Sequence, residues 1–394
     1  MKLDLGVVPE ALGWTPEKMK AVVIRPEREG PPSQAMQIEE VDVPEPGPNE
    51  ALVLVMAAGV NYNGVWASRG EPVSVMRITK DNFHIAGSDA SGIVWKVGPG
   101  VTRWKPGDEV IVHCNISCGE CPACNGLDPM ACEQQRIWGY ETNYGSFAQF
   151  TKVQSQQLLP KPKNLSWEEA ASYALTYFTA YRMLVHQGNL RAGQNVLIWG
   201  AAGGLGVFAV QICKVYNATP ICVVSSEEKA DLLRSLGAEY IIDRREYGFA
   251  WKPDETPEET QNRLREMRRF GSKIREFTGG QDPDIVFEHV GASTFPTSVF
   301  VCKRFGKVII CGATSGYELE FDVRYLWMRQ KQIIGSHFAN AFQADEANNL
   351  IVKGLVKPVV ADVLPFEETA KAHELMAANE HRGKMVIRVQ APAR

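Results

Sequence analysis

Four cysteines fall within one short stretch, Cys118, Cys121, Cys124 and Cys132, at spacings of three, three and eight residues. Thiolates that close in sequence can complete a tetrahedral shell around Zn2+, and four protein sulfurs leave no position open for substrate, so the predicted metal is structural. A second stretch, Asn195-Val196-Leu197-Ile198-Trp199-Gly200-Ala201-Ala202-Gly203-Gly204-Leu205-Gly206, sets glycines between an apolar run and a helix-like run. Such a turn lets the backbone approach a pyrophosphate at the positive end of the following helix, so Gly200, Gly203, Gly204, Leu205 and Gly206 are read as dinucleotide contacts. The next apolar run ends Val223-Val224-Ser225-Ser226, without the acidic residue that accepts from the ribose hydroxyls of NAD. Ser225, Ser226, Lys229 and Arg244 offer hydroxyls and positive charge to a 2'-phosphate instead, which predicts NADPH. Glu227 and Glu228 oppose that reading, and the plainer one makes Lys229 and Arg244 ordinary surface cations.

Two kinds of scaffold must position these groups. Residues 20–165 carry short β-prone runs at 20–24, 50–57, 90–97 and 109–113, punctuated by Pro and Gly in the manner of antiparallel strands. After a helical stretch at 166–186, strands at 195–199, 220–224, 240–242, 284–288, 306–311 and 332–335 alternate with helical segments, including 205–216 and 227–236. That alternation predicts an α/β fold with a doubly wound parallel sheet. The charged stretch 244–281 contains a predicted helix at 257–270 and reads as a solvated surface. A helix at 367–378 and a strand at 384–389 return to the first domain, which gives 1–170 with 341–394 as one domain and 171–340 as the inserted one.

A chain of 394 residues is too long for one ordinary core. Hydrophobic residues make up 45% and charged residues 22%, and the formal net charge is -4, so neither nucleic acid nor an acidic membrane is an expected partner. Met1-Lys2-Leu3-Asp4-Leu5-Gly6 lacks the features of a secretory signal. Outside the cysteine loop, Cys114, Cys213, Cys222, Cys302 and Cys311 cannot all pair, and a reducing cytoplasm is expected.

The cysteine loop, the run Gly107-Asp108-Glu109-Val110 and the glycine turn resemble zinc-containing medium-chain alcohol dehydrogenases over nearly the whole chain. The resemblance implies a GroES-like β-rich catalytic domain around a Rossmann domain. Those enzymes hold a catalytic zinc through an early Cys, the His of a Gly-His-Glu motif and a later Cys. Here the matching stretches read Gly59-Val60-Asn61-Tyr62-Asn63, Gly87-Ser88-Asp89 and Ala174-Leu175-Thr176-Tyr177, which supply no such soft ligand. Zinc-independent relatives on this fold reduce activated carbon-carbon double bonds.

Further segments narrow the likeness: Asn61-Tyr62-Asn63-Gly64-Val65-Trp66, Ile137-Trp138-Gly139-Tyr140-Glu141-Thr142-Asn143, Asp284-Ile285-Val286-Phe287-Glu288-His289, Arg324-Tyr325-Leu326-Trp327-Met328 and Gly335-Ser336-His337. These resemble crotonyl-CoA carboxylase/reductases and related enoyl-CoA reductases. The resemblance implies an acyl-CoA substrate, hydride delivery from NADPH to the β-carbon of a short-chain enoyl thioester, and an enolate that takes up a proton or carbon dioxide. It places the carbon dioxide site at Asn63, Tyr140, Glu141 and His337, and contacts with the CoA end at Arg324 and Tyr325. Three departures stand out: Tyr140 replaces a Phe and adds a hydroxyl, Phe338 stands where a Gly is expected after the His, and the zinc loop is foreign to the carboxylating enzymes. Duller roles stay open, namely a helix cap for Asn63, a turn carboxylate for Glu141, an interdomain His for His337 and an exposed ion pair for Arg324. A quinone or enone reductase and a noncatalytic NADPH-binding sensor are the competing readings. Superfamily relatives pair sheet edges, which implies a homodimer or homotetramer, with the run 306–311 as the candidate edge.

Overall fold

Residues 2–250, 252, 254–381 and 383–392 are described by the computed structural model. The chain divides into two compact units, Met1–Leu175 with Ala339–Arg394, and Thr176–Phe338. No helix among the described residues is long and apolar enough to cross a membrane.

The first unit is built on a seven-stranded sheet ordered Leu158–Pro160, Glu109–Val112, Ala90–Val97, Glu50–Gly59, Lys384–Arg388 and Val360–Pro365, with Phe150–Gln154 also pairing with Glu50–Gly59. All these pairings are antiparallel except that of the two C-terminal strands. The central strand Glu50–Gly59 is buried along nearly its full length, so its Ala and Val side chains feed the core on both faces. Helix α1 (Tyr62–Arg69) follows it directly, and Gly70 ends the helix in the left-handed conformation.

The second unit carries a six-stranded, wholly parallel sheet. Its strands are β1 (Asn195–Ile198), β2 (Thr219–Val224), β3 (Tyr240–Asp243), β4 (Ile285–Glu288), β5 (Lys307–Ile310) and β6 (Gln332–Gly335). The order β3-β2-β1-β4-β5-β6 is the doubly wound pattern, with the topological switch between β1 and β4. Helices α2 (Gly206–Val215) and α3 (Glu227–Ser235) make the first crossovers.

Three expectations are corrected here. The helical stretch at 166–186 is three pieces, Trp167–Ala170, Ala174–Tyr181 and a π-helical turn Arg182–Gln187, with a capping box of Ser166 and Glu169 starting the first. The helix expected at 257–270 runs on as α4 (Pro257–Phe277), since Phe270, Gly271 and Ile274 continue the buried face begun at Met267. The run 306–311 is no sheet edge: β5 is paired on both sides, and β6 is the outer strand on that side of the sheet.

Candidate active site and metal centre

The cysteine loop closes on itself. The sulfurs of Cys118, Cys121, Cys124 and Cys132 all lie within 4.8 Å of one another, the one such ligand cluster among the described residues. Cys121 and Cys124 stand 3.6 Å apart and Cys118 and Cys124 3.9 Å. A tetrahedron with Zn–S bonds of about 2.3 Å has sulfurs about 3.8 Å apart, so the donor set fits Zn2+. Backbone N–H groups of Glu120 and Cys121 donate to Cys118 Sγ, and these bonds pull its thiol down to about 6, toward the thiolate a metal needs.

At the positions where zinc alcohol dehydrogenases would gather a catalytic metal, this chain builds a buried ion pair. Lys384 Nζ donates to Asp89 Oδ2 at 2.8 Å and also to Asn61 Oδ1, and Asn61 Nδ2 donates to the same carboxylate. The other Asp89 oxygen accepts from Leu175 N. Every oxygen of the carboxylate is spoken for, and the set contains neither thiol nor imidazole.

Next to this pair lies a polar relay. Asn63 is the second residue of α1, whose N-cap is Asn61, so Asn63 does not cap the helix; its Nδ2 donates to Ser88 Oγ at 2.7 Å. Ser88 donates in turn to the carbonyl of Trp138 at 2.7 Å. Two glycines let these segments meet: a Cβ on Gly139 would stand 1.9 Å from the Gly87 carbonyl oxygen, and Gly139 adopts φ +71°. Beyond Gly139, the Tyr140 hydroxyl donates to the carbonyl of Glu71 at 2.8 Å, so the proton added by this substitution is already engaged. Glu141 Oε2 accepts from Ile137 N at 2.8 Å, which fixes the carboxylate against its own turn. His84 Nε2 meets the Gly139 carbonyl, and full burial pushes that imidazole down to about 4, holding it neutral.

In the second unit the glycine turn joins β1 to α2. A Cβ on Gly206 would fall 2.4 Å from the Ala201 carbonyl oxygen, so only glycine allows the turn to fold back onto the helix start. Trp199 anchors the turn: its indole stacks on Phe270 and donates to Ser298 Oγ, which donates to the buried Glu288 carboxylate. Burial raises the pKa of Glu288, while Thr294 Oγ1 and the N–H groups of Val290 and Gly291 also bond it. Ser226 caps α3 by accepting from Lys229 N, with its proton still available. Lys229 and Arg244 make no ion pair among the described residues; burial first, and the Arg244 charge second, lower the Lys229 pKa. Glu228 acts on Lys229 in the opposite sense, so the two cations offer a phosphate a positive charge that one nearby carboxylate partly offsets.

His337 follows β6 and is solvent-exposed, with Phe338 edge-on at 4.5 Å between ring centroids. Partial desolvation and then the Arg182 charge lower its pKa. Arg324 is bound in fork geometry by Asp322, and Tyr325 packs edge-on against Phe300. Three residues that sequence reasoning passed over belong to these sites. Ser88 and Trp138 complete the relay. His289 donates from Nε2 to the Trp199 carbonyl and lies against Gly200; a histidine directly after the strand at the switch point was the available signal.

Residues 47–163 match the family model of the alcohol dehydrogenase GroES-like domain, and residues 204–353 that of the zinc-binding dehydrogenases. The chain is 52% identical over 394 residues to the crotonyl-CoA carboxylase/reductase of Cereibacter sphaeroides, covering 99% of this chain and 91% of that relative. It is similar to the structure of crotonyl-CoA carboxylase/reductase AntE in complex with NADP, at 45% identity and a TM-score of 0.93 over 99% of both chains. The 2-octenoyl-CoA carboxylase reductase CinF, in complex with NADP and 2-octenoyl-CoA, superposes with a TM-score of 0.92 at 39% identity, over 97% of this chain and 90% of that one.

Proposed function

The chain belongs to the crotonyl-CoA carboxylase/reductase family of medium-chain dehydrogenase/reductases, and from that premise we propose that it is an NADPH-dependent reductive carboxylase of a short-chain 2-enoyl-CoA such as crotonyl-CoA or acryloyl-CoA. Bound NADPH supplies a hydride with its electron pair to the β-carbon, leaving NADP+ and an enolate whose α-carbon takes up carbon dioxide or a proton. The glycine turn and the N-terminus of α2 receive the pyrophosphate, and Lys229, Arg244, Ser225 and Ser226 the 2'-phosphate.

Capture of carbon dioxide rather than a proton is supported by one observation above the others: the hydroxyl that holds the Asn63 amide, on Ser88, gives its proton to the Trp138 carbonyl, and the Tyr140 hydroxyl gives its own to Glu71. An enolate beside Asn63 meets an amide N–H, which stabilises a carboxylate, and a Ser88 hydroxyl whose proton is already given to a carbonyl. Glu141, held by Ile137 N, orders water in the same loop, and His337 is assigned the same duty on the strength of the family resemblance. Arg324 is assigned the CoA phosphates, for which it would exchange Asp322, and Tyr325 the nucleotide end beside it. Zn2+ at the four thiols serves structure alone. A homodimer or homotetramer formed through β6 is supported by the outer position of that strand and the exposed Val323, Trp327, Met328 and Ile333.

The test is product analysis after NADPH-dependent turnover of crotonyl-CoA with and without bicarbonate. Ethylmalonyl-CoA in its presence, and butyryl-CoA without it, is the expected result. Oxidation of NADPH by a simple quinone but by no CoA ester would establish the quinone reductase instead, and binding without turnover on either would establish the sensor.

A further inference from the structure

We propose that Ser88 is a positioning residue for carboxylation, fixing the Asn63 side chain in the one orientation that presents an N–H to carbon dioxide; this rests on the reductive-carboxylase reading above. Ser88 has no exposed surface, and its Oγ lies 2.7 Å from both Asn63 Nδ2 and the Trp138 carbonyl oxygen. A carbonyl oxygen only accepts, so the single hydroxyl proton goes to Trp138. Oγ is then left with lone pairs, and toward Asn63 it can only accept.

That polarity decides which way the amide faces. With Oδ1 turned to Ser88, two acceptors would meet with no proton between them, so the relay admits only the nitrogen. Nδ2 carries a second hydrogen, which diverges from the first in the amide plane and is not used by Ser88. A growing carboxylate needs a donor, and a flipped amide would offer it an acceptor. Ser88 therefore selects the useful face of Asn63 without touching the substrate.

The far end of the relay is rigid. The Trp138 indole is buried and donates to the Tyr144 carbonyl at 3.0 Å and to Thr151 Oγ1 at 3.2 Å. The backbone contact between Gly87 and Gly139 clamps the segments that carry Ser88 and Trp138. Asn63 itself is fixed at the start of α1. Sequence matching singled out the Gly87-Ser88-Asp89 stretch only for lacking a zinc ligand, whereas the geometry gives its serine a task of its own.

The experiment compares the ethylmalonyl-CoA to butyryl-CoA ratio, across a bicarbonate series with crotonyl-CoA and NADPH, in the wild type, Ser88→Ala, Asn63→Ala and the double variant. Loss of one positioning hydrogen bond predicts a ratio lowered about tenfold in Ser88→Ala. Because Ser88 acts through Asn63, adding Ser88→Ala to Asn63→Ala changes the ratio no further. Ser88→Cys, a weaker donor and acceptor of similar size, falls between the wild type and Ser88→Ala. An unchanged ratio in both Ser88 variants overturns the proposal, and so does a further fall on the Asn63→Ala background. A wild type that makes only butyryl-CoA at saturating bicarbonate removes the carboxylating role from Asn63 and Ser88 alike, while leaving the reductase in place. No consumption of NADPH with any CoA ester overturns the reductase reading itself.

Discussion

The four thiols of the metal loop lie within residues 118–132, whereas the Asn63 relay joins residues 25 and 50 positions apart. Both are polar constellations of the same unit, yet they depend on the fold in different ways. The loop brings its own geometry, because short spacings and two N–H to sulfur bonds shape it locally. The relay exists only when α1, the turn carrying Ser88 and the loop after Trp138 have been brought together by the sheet. Its neighbour, the Lys384–Asp89 pair, ties two of those segments to the strand Lys384–Arg388. A local site and a dispersed one should therefore fail under different substitutions.

Lys384→Met should separate them most sharply. It leaves the Asp89 carboxylate buried without its cation, and breaking such a pair costs about 3–5 kcal/mol. Denaturant unfolding of the full chain should show that loss, with the carboxylated product falling alongside it while bound zinc persists. A loss below about 1 kcal/mol would mean that the pair behaves as a solvated surface bridge despite its burial. The converse is Cys124→Ser, which should abolish bound zinc by metal analysis and cost about 0.5–3 kcal/mol, the range of ordinary single substitutions. Loss of zinc that also reset the product ratio to the Ser88→Ala value would show that loop and relay are one site.

The same contrast governs what could be read from the sequence. The cysteine loop and the glycine turn were legible because their chemistry is written in adjacent residues, and β1, β2, β4 and β6 emerged within one residue or so at each end from apolar runs between turn signals. The position of β5 inside the sheet was not legible, since periodicity marks a strand without naming its neighbours. Asn63, Glu141 and His337 were found through family likeness alone. Ser88 was not found at all, because a serine acquires its role from Trp138, and nothing in either local sequence points at the other. The engaged state of the Tyr140 hydroxyl was equally hidden, as its acceptor is the backbone of Glu71.

Phe338 offers the smallest and most selective perturbation. It stands where the family resemblance places glycine, and its φ of 41° lies in the left-handed region that side chains avoid. Such a residue costs about 1–3 kcal/mol in strain, against which its ring gains an edge-on contact with His337. Phe338→Gly removes both, so net stability should move by less than about 1 kcal/mol. The informative change is in titration. His337 is held below its ordinary value by desolvation and by Arg182, so the unfolded chain binds that proton more readily and folding weakens as pH falls below about 6.5. With the ring gone, its share of the desolvation is lifted, the imidazole pKa rises toward the ordinary value, and the acid-side loss attributable to this residue shrinks. His84, His113 and His373, buried and pushed down to about 4, contribute equally to both proteins and cancel in the difference. Proton NMR of the His337 ring should record the upward shift, and an unmoved titration would leave Arg182, not the phenyl ring, as the group that sets it.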